Sequence, residues 1–84
     1  MNLDMQIVIT GAFRYALGRM TYVVDSTCNV IEAVAQDMDN NQITLMIKEI
    51  GEADKNNALG MQMDIDRWRK CQLLLGEELA KRKA

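Results

Sequence analysis

The sequence predicts an all-α fold, and three observations carry that expectation. Proline is absent, and aromatic residues make up only 5% of the chain. The apolar content is 49%, drawn mainly from Ala, Val, Ile, Leu and seven Met, which suits helices better than a sandwich or barrel. The apolar residues also recur at three- and four-residue steps, the spacing of one helical face. The expected architecture is a small antiparallel helical bundle or hairpin of three to four helices, in one domain covering residues 1–84.

Asp4 is the expected cap of a first helix beginning at Met5. From there Ile9, Phe13, Ala16, Met20, Val23, Val24, Thr27, Ile31, Val34 and Met38 keep one helical phase, which passes through Gly18 without a slip. The phase predicts one long N-terminal helix over residues 5–37, bent at Gly11 or Gly18. The alternative ends the helix at Leu17, uses Gly18 as a left-handed cap and restarts near Thr21. Asp37 to Asn41 is a turn cluster whose Asp39 or Asn40 caps a second helix over 41–54, with Ile43, Met46, Ile47, Ile50 and Ala53 inward. A boundary falls within 55–64. Asp64 is the expected cap of the last helix, which turns Ile65, Trp68, Cys71, Gln72, Leu75 and Leu79 inward and Arg67, Arg69, Lys70, Glu77 and Glu78 outward. Lys81, Arg82 and Lys83 complement the negative end of its dipole before the chain frays. A first helix of 5–37 would be about 50 Å long at ~1.5 Å per residue, too long for the remaining helices to cover. Self-association follows as an expectation, most simply a homodimer.

The chain carries a net charge of −2, which argues against general nucleic-acid binding. The balance is uneven, because in residues 1–40 Arg14 and Arg19 face five carboxylates. No apolar run is long enough to cross a bilayer, since Gly18, Arg19 and Asp25 interrupt the most hydrophobic region. Cys28 and Cys71 are isolated thiols, and with no signal-peptide pattern the expected compartment is the cytoplasm, with the thiols reduced and partly buried. A bridge between them is the alternative.

Histidine is absent, which removes the usual general base, the commonest metal ligand and the Ser/His and Cys/His nucleophile pairs. No enzyme, cofactor or metal site is expected. Asp64/Asp66 and Glu77/Glu78 do not converge on one ion from adjacent or next-nearest helical positions, and they suit solvated charge and capping. Trp68 fits a core or interface anchor, and the Met residues fit core filling. That leaves Phe13 to Tyr22. Tyr15, Arg19 and Tyr22 are spaced as a ridge on a continuous helix, and Gly11 and Gly18 leave a gap beside Arg14. Arginine gives phosphate a bidentate partner and tyrosine gives a base a stacking face. Arg14, Tyr15, Gly18, Arg19, Thr21 and Tyr22 are therefore the candidate ligand-binding residues. The same residue types also suit helix crossing at the glycines, ion pairs for the arginines and a subunit seam for the tyrosines.

The run Arg14-Tyr15-Ala16-Leu17-Gly18-Arg19, followed by Thr21-Tyr22, resembles a short signature in small proteins of tailed bacteriophages. The resemblance covers this run alone and carries over no functional residue. It implies a phage origin, and with it host-takeover or counter-defence roles in the host cytoplasm. One such role is a non-enzymatic oligomeric sponge that sequesters a nucleotide-type immune signal, with Arg14 and Arg19 on phosphate, Tyr15 and Tyr22 stacking, and Thr21 adding a hydroxyl contact. A second is an anti-CRISPR-like inhibitor that binds a host defence protein through an acidic surface, although Asp25, Glu32 and Asp37 make only a thin one. A third, outside defence, is a structural or regulatory helical adaptor; the thin acidic face and the placement of Arg14 and Arg19 tip the expectation toward the sponge.

Overall fold

Asn2 starts the first helix, not Asp4. Its side-chain oxygen accepts from the Met5 N–H at 2.8 Å, and Asp4 sits inside the first turn, where its carboxylate meets the positive end of the helix dipole. The computed structural model describes residues 1–83, and residue 84 lies outside the described residues. The described residues form four α-helices and no strand: α1 (Leu3–Ala16), α2 (Thr21–Val34), α3 (Asn40–Lys55) and α4 (Gln62–Lys83), with a 3₁₀ turn at Ala35–Asp37 between α2 and α3.

The long helix expected over 5–37 is two helices. Leu17 leaves the helical conformation, Gly18 adopts φ 78°, and the Arg19 N–H donates back to the Ala16 carbonyl at 3.0 Å. Met20 is extended, and its carbonyl accepts from Val23 and Val24 to open α2. The unbroken phase has a simple cause. The connector is Leu17 to Met20, four residues, close to the 3.6 of one helical turn, so an apolar period continues across the gap. Met20, in phase with the buried stripe, is exposed.

Gly18 is required here twice over. Its left-handed φ suits glycine, and a Cβ at this position would lie 2.8 Å from the Ala58 carbonyl oxygen. The α1–α2 turn thus docks on the turn between α3 and α4. That second turn is shaped by Asn57 at φ 55° and Gly60 at φ 97°. Asp39 caps α3 as expected, accepting from the Gln42 N–H at 2.8 Å. Asp64 does not cap α4. The Met61 carbonyl opens that helix by accepting from Asp64 and Ile65, and Asp64 is buried in the first turn with Oδ1 lacking a hydrogen bond.

The core gathers Ile9, Phe13 and Ala16 of α1, Val24, Cys28 and Ile31 of α2, Ile43, Met46 and Ile50 of α3, and Trp68, Cys71 and Leu75 of α4, with Met38 and Leu59 from the connections. Trp68 is fully buried and meets Phe13 edge to face, with ring centroids 5.6 Å apart at 84°. Methionine fills the core only at Met38 and Met46, while Met5, Met20, Met61 and Met63 are exposed.

Polar staples tie the helices outside this core. Arg67, expected to face water, reaches from α4 across α2 to Asp25, Asn29 and Glu32, the last through a fork of 2.7 and 3.0 Å. Arg69 forks Asp54 of α3, and this pairing lowers the Asp54 carboxyl below its ordinary range. Arg82, placed in the fraying end by the sequence, donates to the carbonyls of Ala35 and Gln36 and to Asn40 Oδ1.

Two alanine substitutions separate the roles of glycine. Gly18→Ala is expected to lower unfolding stability by about 2 kcal/mol, from the left-handed backbone and the Ala58 clash together. Gly76→Ala, inside α4 where a Cβ meets nothing within 4 Å, should raise it by about 0.5–1 kcal/mol. Urea unfolding followed by circular dichroism measures both.

Candidate functional site

The six residues singled out in the sequence point to different parts of the surface. Arg14 and Tyr15 are adjacent on α1, so their side chains leave the helix about 100° apart. Arg14 turns toward α3, where its Nε and Nη2 donate to the two Glu49 oxygens at 3.1 and 2.9 Å. Glu49 raises the pKa of this guanidinium further. The open hollow there is lined by Arg14, Asn41, Thr44, Lys48, Glu49 and Glu52.

Arg19 behaves differently. Its Nε donates to the Tyr15 carbonyl at 3.1 Å, and its guanidinium carbon lies 4.7 Å from the centroid of the Tyr15 ring, a cation–π distance. Arg14, Arg67, Arg69 and Arg82 each hold a carboxylate, and among the described residues Arg19 alone has none. Tyr15 and Tyr22 are both exposed. Tyr22 stands on the first turn of α2, so the continuous helical ridge expected for Tyr15, Arg19 and Tyr22 is interrupted by the turn, although the Tyr15–Arg19 contact itself forms. Gly18 faces the Ala58 backbone. Thr21 opens on a hollow of about 380 Å³ with Asp25, Asp64, Asp66, Arg67 and Lys70. Tyr15, Arg19 and Tyr22 thus stay at the surface near the α1–α2 turn, while Arg14 belongs to the α3 side and Thr21 to the α4 side.

A larger surface feature spans the outer side of α1 and α2. Leu3, Ile7, Val8 and Tyr15 of α1, with Tyr22 and Val30 of α2, are each between 51% and 68% exposed. Small residues Gly11, Ala12 and Ser26 lie among them, also exposed. Val8, Ala12, Ser26, Thr27 and Val30 line a shallow groove of about 210 Å³ between the two helices. Single exposed apolar residues are ordinary, whereas a contiguous group marks a contact surface. The signal was present in the sequence. Leu3, Ile7, Gly11 and Tyr15 form a second four-residue series on α1, and Tyr22, Ser26 and Val30 continue it on α2, beside the series that fills the core.

Cys28 and Cys71 meet in the core between α2 and α4 and are free thiols. The Cys71 hydrogen bond and burial push the Cys28 pKa well up, which suppresses thiolate chemistry. Among the described residues, no group of three or more His, Cys, Asp or Glu is placed to hold a metal ion. No helix among them is long and apolar enough to cross a membrane. No family model, curated protein or solved structure matches the chain, so the geometry itself carries the functional reading.

Arg67 and Arg14 should differ in weight. The Arg67 side chain is 15% exposed and Glu32 is 21% exposed, and Arg67→Ala strands two α2 carboxylates. It is expected to cost about 2–3 kcal/mol of unfolding stability. The Arg14–Glu49 pair faces solvent, so Arg14→Ala should leave the thermal midpoint close to that of the unaltered chain. Thermal unfolding of the two variants side by side checks the contrast.

Proposed function

We propose that the protein is a non-enzymatic, cytoplasmic interaction module, a structural or regulatory helical adaptor. In this reading α1 and α2 run antiparallel and present their outer face to a protein partner. The carrying observation is that face itself: six large apolar side chains more than half exposed on two neighbouring helices, with small residues between them. A surface of this kind gains free energy in proportion to the apolar area it removes from water. It also sits apart from the core and the staples, so it can be altered without unfolding the chain.

The test is chemical cross-linking of the tagged chain in cells. The unaltered protein should give adducts that the Val8→Glu/Val30→Glu variant loses, with helical circular dichroism unchanged and the exposed control Lys55→Glu still forming them. Adducts that persist in the double variant would remove this face as the contact surface.

One observation favours a second reading, a counter-defence sponge for a nucleotide-derived ligand in a phage-infected host. Arg19 is the arginine without a carboxylate partner, held over the exposed Tyr15 ring with its terminal nitrogens unengaged among the described residues. A guanidinium so held suits phosphate, and Tyr15 and Tyr22 suit a base. On this reading a cyclic dinucleotide or ADP-ribose present at ~100 times its Kd should stabilise the fold by about 2.7 kcal/mol. The gain should vanish in Arg19→Ala. A thermal-shift screen without any such stabilisation removes the sponge.

A further inference from the structure

We infer that the occupant of the α1–α2 face is a second copy of this chain, in a two-fold dimer whose α1 helices cross at Gly11 and Ala12. The inference rests on the interaction-module reading and names its partner. Three independent observations support it.

The first is area. A tyrosine offers roughly 200 Å² and an aliphatic side chain roughly 100 Å². At just over half exposure, Ile7, Val8, Tyr15, Tyr22 and Val30 therefore supply on the order of 400 Å² between them. The backbone and the small side chains among them bring the face toward the ~800 Å² per partner that a specific interface needs.

The second is self-complementary shape. A two-fold contact requires each half of the surface to fit the other half reversed. On α1 the midpoint between positions 8 and 15 falls between Gly11 and Ala12, so a two-fold axis there sets Val8 against Tyr15 of the second copy and the reverse. The bulk stands at both ends and the centre is bare. A Cβ on Gly11 would meet nothing within 4 Å, which leaves room for another helix to approach closely.

The third is charge. Asp4 has no side-chain hydrogen bond and no ion pair among the described residues, and Arg19 has no carboxylate. Asp4 stands in the first turn of α1, and Arg19 stands in the α1–α2 turn just past the helix's last residue, Ala16. An antiparallel crossing of two α1 helices near their middle brings the α1–α2 turn of each copy toward the first turn of the other, and so Arg19 toward Asp4 at two symmetric places. Shape sets the axis at Gly11 and Ala12, and the charges on either side of it are complementary.

The experiment is sedimentation velocity on the purified full chain over a hundredfold concentration range at low salt, with circular dichroism of every variant. The expected mass is that of two 9.5 kDa chains. Asp4→Arg and Arg19→Asp should each weaken the dimer at least tenfold by setting like charges opposite one another, and the double exchange Asp4→Arg/Arg19→Asp should restore it. Gly11→Glu should give a folded monomer. A single-chain mass at all concentrations overturns the second copy, and so does a dimer indifferent to Gly11→Glu or unrescued by the double exchange. A purified monomer whose cross-links in cells still depend on Val8 and Val30 overturns only the second copy. Cross-links independent of Val8 and Val30 overturn the face as well.

Discussion

The rest of the structure depends on the close approach of Gly18 to the Ala58 carbonyl. With Gly18 in the left-handed region, α1 stops at Ala16 and α2 can start at Thr21. With no Cβ in the way, the turn so formed rests on the α3–α4 turn. A continuous helix over the same residues would carry Ile9 and Phe13 far from Val24 and Ile31 along a single rod. The break instead puts all four into one core beside Trp68. A chain of 84 residues has few ways to bury enough apolar surface, and folding its most hydrophobic third into two neighbouring helices is one.

The same break creates the outer face. α1 is apolar on two sides, with Ile9, Phe13 and Ala16 inward and Leu3, Ile7, Val8 and Tyr15 outward. One side suffices for the core. The polar staples repeat this asymmetry, because Arg67, Arg69 and Arg82 start from α4 and Arg14 points to α3. Among the described residues no ion pair joins α1 to α2. The charged network thus holds α4 and α3 against the rest and leaves the α1–α2 exterior unoccupied.

Much of this was legible in the sequence and some was not, for physical reasons tied to particular residues. The helical class, the span of α3, the Asp39 cap and the buried Trp68 all follow from periodicity and side-chain chemistry, which act locally. The break at Gly18 does not, because a connector about one helical turn long preserves the phase on either side of it. What decides it is the Ala58 carbonyl, forty residues away. Asp64 departs from expectation for a related reason: its type suits a cap, but the Met61 carbonyl opens α4 and Asp64 falls inside its first turn. For the candidate site, the Tyr15–Arg19 contact could be foreseen from an i, i+4 spacing. The commitment of Arg14 to Glu49 could not, since it needs the placement of α3. The outer face is obscured by its own neighbour, because α1 carries two apolar series and periodicity alone does not say which of them the core leaves exposed.

Arg19 is where the two functional readings meet, and its surroundings weigh between them. A guanidinium accepts phosphate or carboxylate through the same fork. A nucleotide ligand brings several negative charges, and effective capture gathers several cations around them. Within this chain the nearest arginine in sequence is Arg14, which faces α3 and is neutralised by Glu49. The sponge is left with one guanidinium per copy on a chain of net charge −2. A carboxylate partner asks for less, since a single Asp matches a single Arg. Asp4 stands in the first turn of α1, at the end away from Arg19 and without an ion pair among the described residues, and the proposed two-fold crossing of α1 would bring it toward Arg19 of a second copy. The arrangement that leaves neither charge without a partner requires no molecule other than the chain itself.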